Sequence, residues 1–333
     1  MPLPDADPAA ERLDRFMARA NATYYAARDP FSDFITAPEI SQVFGEILGL
    51  WAAVIWEQLG RPVPIVLSEA GPGRGTLMAD ALRAIRHAAP AFGAALQLHL
   101  IETSERLRAA QAPVLPGAVW HGGLGSLPDA PLLLLANEFL DALPIRQFVR
   151  RGAGWTERYV AAGKFVERPA EAPGDRTAAE GETVEIGEAA TGFAATLGRR
   201  LARQPGAALL LDYGAPESVP GDSLQAIRDG RPADPLAYPG EADLTGHVDF
   251  AALAAAARAA GAVVHGPLPQ GVFLTRLGLF QRTDRLARGQ PPRQALRLID
   301  AARRLAEPDR MGRLFKAMAL CHPGAPTPPG FEA

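Results

Sequence analysis

Four groups of polar residues have compositions that could serve chemistry, three of them where strands end and one where a helix begins. The first is Glu69-Ala70-Gly71-Pro72-Gly73-Arg74-Gly75-Thr76, directly after the apolar run Pro64–Ser68. Glycines between a strand and a helix let the backbone pass close to a ligand, because glycine has no side chain and accepts positive φ. Taken alone such a loop is weak, since tight turns use glycine without binding anything. Its spacing excludes one large class. A dinucleotide loop needs glycine at its first, third and sixth positions, and here the sixth position is Thr76. Glu69 discriminates further, because it closes the strand where a pyrophosphate would approach and a carboxylate there repels phosphate.

A carboxylate at that place suits a ligand carrying both an ammonium and a sulfonium. S-adenosylmethionine carries both, so it is the expected cofactor, with S-adenosylhomocysteine as product. The second group, Glu102-Thr103, ends the next strand, residues 96–102. A carboxylate at that place in a Rossmann-like sheet accepts the two hydroxyls of a ribose; the plain alternative is a solvated strand-end acid. The adenine would lie near Trp120-His121-Gly122, although Trp120 serves equally well as a core residue. The third group, Asn137-Glu138-Phe139-Leu140-Asp141, follows four consecutive leucines. Burial alone would not place Asn137 and Glu138 there without partners. Glu138 would pair with a cationic acceptor such as a guanidinium, and Asp141 would cap the turn that follows.

The fourth group is Thr36-Ala37-Pro38-Glu39-Ile40-Ser41. Glu39 favourably fills the first turn of a helix starting at Pro38, and that helix start either only begins the helix or also closes over the cofactor. A further pair, His247 and Asp249, either caps a helix or accepts the proton released in the reaction and shapes the acceptor pocket.

Alternating elements position these groups. Residues 8–20 and 38–59 read as helices, separated by a loop that includes Tyr24 and Tyr25. Strands at 64–69, 96–102, 118–121 and 131–137 alternate with helices at 76–88 and from Ser104, which predicts a parallel, doubly wound α/β sheet. From 145 the pattern changes to short antiparallel strands at 145–150, 155–160, 163–167 and 182–186, with a mobile tip at Pro169–Gly181. Helix 188–203 and strand 207–213 return to the α/β pattern. Residues 214–245 are rich in Gly, Pro and Asp and read as an ordered loop or lid. Helices at 247–260, 270–280 and 291–306, a strand near 262–265 and a last strand near 312–320 complete the chain.

Composition narrows the classes. The net charge is −3, so no global basic field draws in nucleic acid or an anionic membrane. Only Lys164 and Lys316 are lysines, and the arginine bias is read as codon usage rather than as anion clamps. The lone Cys321 lies in an apolar run, no Cys/His spacing suggests zinc, and no metal is expected. No apolar run is long enough for a membrane span. An early acidic residue and the lack of a basic-apolar leader point to the cytoplasm of a bacterium, with the mitochondrial matrix possible only after removal of a transit peptide.

The motifs together resemble the MidA-like family of class I S-adenosylmethionine-dependent methyltransferases, to which a mitochondrial complex I assembly arginine methyltransferase belongs. The resemblance runs through Tyr24-Tyr25, Thr36–Glu46, Glu69–Met78, Ala136–Pro144, Asp212-Tyr213-Gly214, Gly240–Phe250, Gln270-Gly271 and Met311–Lys316. It implies a Rossmann-like seven-stranded sheet with N-terminal helices and an inserted antiparallel substrate region. The corresponding division is 1–60 as an N-terminal lid, 61–144 with 187–333 as the core, 214–245 as a loop insertion and 145–186 as the β insertion. It implies cofactor contacts at Glu69, Gly71, Pro72, Gly73, Gly75, Thr76, Glu102, Thr103, Thr36, Pro38 and Asn137. Glu39, Ser41, Glu138 and Phe139 would meet the substrate, and Glu138, Asn137, His247 and Asp249 would act in catalysis. For the mitochondrial relative it implies methylation of an arginine in a respiratory complex I subunit. Departures fall in Asp29–Thr36, which is contracted, at Ala37, where the family favours Ser, and at Gly230, where many relatives carry His; they bear on substrate identity. Two other readings compete: a non-catalytic cofactor-binding assembly factor or interaction module, which fold alone does not exclude, and a nucleotide-dependent oxidoreductase, against which Thr76 and Glu69 argue.

Overall fold

The computed structural model describes residues 10–28 and 35–332. Its centre is a seven-membered run of strands: β1 (Ile65–Ala70), β2 (Leu96–Ile101), β3 (Val119–His121), β4 (Leu132–Asn137), β5 (Gly206–Ala215), β6 (Val263–Pro269) and β7 (Phe315–Cys321). Their spatial order is β3-β2-β1-β4-β5-β7-β6. The first five pair in parallel, and β7 runs antiparallel to both neighbours. The short strand Val248–Asp249 extends the end of β5 in parallel. This is the expected α/β architecture.

The four leucines of β4 show why the sheet lies in the middle. Leu133 and Leu135 point into one core, and Leu132 and Leu134 into the other. A strand buried on both faces must be apolar at every position rather than at alternate ones. Each such leucine contributes roughly 1.5–3 kcal/mol by leaving water. The helices Gln42–Gln58 and Thr76–Ala88 cover one face and Glu188–Arg203 and Phe250–Ala259 the other. The first two lie unusually close. A methyl added at Gly49 would stand 2.7 Å from Ala81 Cα, and one at Gly45 2.7 Å from the Leu77 carbonyl. Beside this contact the buried Glu46 accepts from Arg282 at 2.7 Å and Arg83 at 3.1 Å.

A second sheet holds the strands Arg146–Arg151, Gly154–Ala161, Lys164–Ala170 and Thr183–Ile186, and Glu11–Arg12 pairs with its Gly154–Ala161 strand. The N-terminal helix Leu13–Ala27 therefore packs on the insertion as well as on the core. Leu13, Phe16 and Met17 share a small cluster with Ile145, Val160, Ala226 and Leu244.

Several elements differ from their sequence readings. The N-terminal helix spans Leu13–Ala27 rather than 8–20, so Tyr24 and Tyr25 are helical; residues 8 and 9, and the contracted stretch at 29–34, lie outside the described residues. The helix expected over 38–59 breaks into Ala37–Ile40 and Gln42–Gln58 at Ser41, which is extended. Segment 214–245, read as an ordered loop or lid, contains a three-stranded sheet, Gln225–Arg228, Arg231–Ala233 and Asp243–Thr245. Part of the expected tip at 169–181 continues the Lys164–Ala170 strand. The helix expected over 270–280 splits at Gly278, and a short helix, Pro90–Ala95, appears where no element was expected.

Candidate active site

The strand order reverses at β1, because the chain steps outward to β2 and β3 and then returns to the far side of β1 as β4. Ligands of open α/β sheets bind outside the carboxyl ends of the strands at such a point. Glu69, Glu102 and Asn137-Glu138 stand at or just beyond the ends of β1, β2 and β4, so the sheet brings the first three polar groups together.

The loop after β1 is shaped by left-handed backbone. Gly71, Gly73 and Gly75 have φ of +65°, +55° and +83°, a region costly for residues with a Cβ. A Cβ at Gly71 would also lie 2.8 Å from the Phe139 ring. The Gly71 amide donates to Ile101 O at 3.0 Å, which ties the loop to β2. Gly75 caps the Thr76–Ala88 helix. Glu69 is only 3% exposed, and its Oε2 finds no hydrogen-bond partner among the described residues. Burial pushes its carboxyl up to about 8. A buried acceptor without a donor costs free energy unless a ligand supplies one.

Glu102 is also buried, and burial raises its carboxyl against the pull of the Ser104 amide, which donates to it at 2.7 Å. Gln111 ties this corner together: its Nε2 donates to Gly73 O at 2.8 Å and reaches Glu102 Oε2 at 3.5 Å, while its Oε1 accepts from Trp120 Nε1 at 2.7 Å. Trp120 packs against the main core, which favours its core reading. His121 is paired with His99 at 2.8 Å. Thr103 is exposed beside Glu102.

The turn after β4 is the most strained part of the site. Glu138 has φ +48° without being glycine, a conformation that costs on the order of 1–3 kcal/mol. Four contacts hold it. Its amide donates to Leu211 O at 2.9 Å, and its carboxylate accepts from the Ala37 amide at 2.9 Å and from Asn137 Nδ2 at 3.1 Å. The fourth is indirect: Asp212, fully buried on β5, accepts from the amides of Phe139, Leu140 and Asp141 at 3.1, 2.9 and 3.3 Å and from Tyr213 at 2.9 Å. Burial pushes Glu138 up to about 7. Burial likewise pushes Asp141 up to about 6, opposed by its hydrogen bond with Tyr213. Burial and the neighbouring Asp141 and Glu138 raise Asp212 well above the usual carboxylate range. Asn137 Oδ1, like Glu69 Oε2, is buried with no partner among the described residues.

The fourth group closes on this turn. Thr36 precedes the Ala37–Ile40 turn, whose first amide binds Glu138, and Glu39 accepts from the Thr76 hydroxyl at the glycine loop. Pro38 is half-buried between them. The turn therefore bridges the loops that follow β1 and β4. Ser41 does not belong with the substrate side: it is buried, and its hydroxyl accepts from Val43 N at 3.3 Å as a helix cap. Phe139 packs on Gly71 and lies 5.2 Å from Phe193.

The 247–249 pair separates. Asp249 caps the Phe250–Ala259 helix through Ala252 N at 2.9 Å, accepts from Ser218 and pairs with Arg176 at 2.8 Å. Those bonds occupy its oxygens, so it is removed from the catalytic set. His247 is exposed and meets Tyr213 edge-on at 5.5 Å, and Tyr213 is the partner of Asp141. Three residues that hold the candidate site's geometry are not singled out by the sequence reading as site residues: Gln111, Asp212 as the anchor of the turn, and Asn21. Asn21 donates to Ala142 O at 3.0 Å and Leu244 O at 2.8 Å and so fastens the N-terminal helix to the site. Among the described residues no group of His, Cys, Asp and Glu could hold a metal, and no helix is long and apolar enough to cross a membrane.

Chemically, the site offers buried carboxylates and an amide oxygen around a glycine cradle, which suits a ligand rich in donors and positive charge. Comparison with known proteins agrees. Residues 47–268 match a family model described as "Putative S-adenosyl-L-methionine-dependent methyltransferase". The mitochondrial protein arginine methyltransferase NDUFAF7 of Homo sapiens is 32% identical over 93% of this chain and 79% of its own length. The Drosophila melanogaster homolog is 32% identical over 94% of this chain and 81% of its own. A Burkholderia thailandensis protein crystallised with S-adenosyl-homocysteine superposes with a TM-score of 0.77 at 30% identity, covering 97% of this chain and 89% of that one.

Proposed function

The chain belongs to the S-adenosyl-L-methionine-dependent methyltransferase family, and we propose that, within that family, it methylates a guanidinium nitrogen of an arginine in a protein substrate. The observation that carries the acceptor assignment is Glu138, a carboxylate held at φ +48° beyond β4 and fastened to the Ala37 amide. The names of the relatives, protein arginine methyltransferases, support it.

S-adenosylmethionine fits the residues present. The unpartnered oxygens of Glu69 and Asn137 would accept from its ammonium end, Glu102 would accept from the ribose hydroxyls, and the left-handed glycines leave room for close backbone approach. Pro72, Thr76, Thr103, Thr36 and Pro38 would line the rest. When bound, it supplies an electrophilic methyl group on a sulfonium. This chain's residues supply position and charge. Glu138 would accept charge-assisted hydrogen bonds from the incoming guanidinium and so fix the plane of the attacking nitrogen. The cation would lower the Glu138 carboxyl from about 7 and keep it ionised. Asp141 is hydrogen-bonded to Tyr213, and His247, exposed against the edge of the Tyr213 ring, would take up the proton that the acceptor releases.

In this reading the described part of the N-terminal segment 1–60 is a lid that packs on the core, the insertion 145–186 and segment 214–245 face the protein substrate, and residues 61–144 with 187–333 form the catalytic core. A respiratory complex I-type subunit is the acceptor to which the sequence resemblance points. Cys321, buried and free, suits a reducing compartment, in keeping with a cytoplasmic or matrix enzyme.

The test is Glu138→Gln with methyl-labelled cofactor and an arginine peptide. Calorimetry with S-adenosylhomocysteine should give an affinity within about threefold of wild type, while methyl transfer should fall at least about a hundredfold, on the order of 2.7 kcal/mol. Full transfer by the variant would remove Glu138 from the acceptor site.

A further inference from the structure

The helix Pro292–Ala306 is attached to the molecule along one face only. Ala302, Leu305 and Ala306 are buried in the main core. At 3.6 residues per turn the opposite face brings Arg293, Arg297 and Arg304 into a single stripe. None of the three makes an ion pair or hydrogen bond among the described residues. Asp300, the acid of this face, is taken by Arg310 at 2.9 Å. Beside the stripe lie Leu296 and Ile299, 66% and 37% exposed. The surrounding segment, residues 279–316, carries ten Lys and Arg against four Asp and Glu in a chain whose net charge is −3. The positive charge is thus concentrated in this segment and the rest of the chain is net acidic.

The helix reaches the active site at its Arg304 end, and the Met311–Leu314 turn that follows it reaches the site again. The helix packs against the Ala37–Ile40 turn, and the charge of Arg304 reaches Glu138. The Met311–Leu314 turn presents Arg313 and Leu314 to solvent immediately before Phe315, whose ring lies 5.5 Å from Tyr213.

We propose that the Arg293–Arg297–Arg304 stripe, with Leu296 and Ile299, docks an acidic and partly apolar segment of the protein substrate, a few residues from the arginine that enters at Glu138. The proposal rests on the arginine-acceptor reading above. The stripe spans eleven residues of helix, about 16 Å at a rise of 1.5 Å each, which an extended chain covers in about five residues. A peptide therefore reaches from Glu138 across the stripe with its acids some three to eight positions from the arginine. Nucleic acid and anionic membrane are poorer occupants, because a long polyanion crossing this patch meets the buried carboxylates of the mouth and the net acidic remainder of the chain.

The test uses the full chain with S-adenosylhomocysteine and two fluorescent 20-residue peptides. Each has one arginine; one carries three Glu and two Leu in the following eight positions, and the other carries Gln in place of Glu. At about 50 mM salt the acidic peptide should bind at least tenfold more tightly by anisotropy. That advantage should shrink with added salt and fall below threefold in Arg293→Gln/Arg297→Gln. Unchanged affinity for S-adenosylhomocysteine shows that the variant is folded, and Arg293→Ala alone gives an intermediate loss. Equal binding of the two peptides, or an undiminished advantage in the double variant, overturns the proposal. So does tighter binding of a 20-base-pair duplex or of phosphatidylserine vesicles through the same arginines. If the acidic peptide docks through the stripe but its arginine is never methylated, the docking face stands and the arginine reading fails. If both peptides are methylated with equal KM, the docking face fails and the arginine reading stands.

Discussion

Asp212 carries no contact with the expected ligands, yet the geometry of Glu138 depends on it. One of its oxygens accepts from the three successive amides of Phe139, Leu140 and Asp141, and the other accepts from Tyr213 N. Asp212→Ala strips the acceptor from all four. A buried donor left unsatisfied costs about 1–3 kcal/mol, but water entering the space left by the carboxylate offsets part of this, so the expected loss is about 3–6 kcal/mol. Asp212→Asn is milder. Its carbonyl keeps the three amides of the turn, and its NH2 now faces the Tyr213 amide, donor against donor. Loss of a charge beside Asp141 and Glu138 works in the other direction, which leaves a net cost of about 1–2 kcal/mol. Urea unfolding measures both. The functional consequence is separable from the stability. With the turn loosened, Glu138 has less to hold it at positive φ, so Asp212→Asn should bind S-adenosylhomocysteine within about threefold of wild type and transfer methyl groups at least tenfold more slowly. An Asp212→Ala protein within about 1 kcal/mol of wild type, or Asp212→Asn transferring at full rate, would refute the anchoring argument.

Glu102→Ala should weaken S-adenosylhomocysteine binding by about 1–3 kcal/mol through lost ribose hydrogen bonds, and an unchanged calorimetric affinity would take Glu102 out of the site. Glu69 makes the protein pH-sensitive in a definite direction. Its folded carboxyl is raised to about 8 from an ordinary 4.5, so within that window the folded state holds a proton the unfolded state has lost, and ligand-free stability falls as pH rises. The ligand's ammonium needs the ionised carboxylate, so the thermal shift produced by S-adenosylhomocysteine should grow from pH 6 to pH 8; both slopes should flatten in Glu69→Gln, and identical slopes in the variant would contradict the assignment. Gly49→Ala should destabilise by roughly 1–3 kcal/mol, as overpacking does, because its methyl would stand 2.7 Å from Ala81 Cα; a melting temperature equal to wild type would mean that the two helices can separate at no cost.

The site was legible wherever a polar residue interrupts an apolar run. Glu69, Glu102, Asn137 and Glu138 all close buried strand segments, and all four sit at one end of the sheet. The same argument applied to Asp212, which follows three leucines, would have found the anchor of the turn. Gln111 offered no such signal: it lies on a short helix, and its importance comes from Gly73, Glu102 and Trp120, which the chain brings to it from elsewhere. Local hydrogen bonds explain the misplaced ends. Ser41 breaks the 38–59 helix because its hydroxyl satisfies the next helix's amide, and Asp249 starts its helix later than read because it is the cap. The sheet inside 214–245 was missed because its strands are three or four residues long, too short for alternation to register.

If the carboxylate beyond β4 presents an arginine of a protein to the cofactor, the transferred methyl group ends on that side chain. The most direct measurement is mass spectrometry of protein from a lysate of the source cell incubated with this chain and methyl-labelled S-adenosylmethionine. Label is expected on arginine side-chain nitrogens in one or a few proteins, and it should be lost when Glu138→Gln replaces the wild type. Label confined to lysine, carboxylate or small molecules, or no transferred label with the cofactor bound, would contradict the arginine reading.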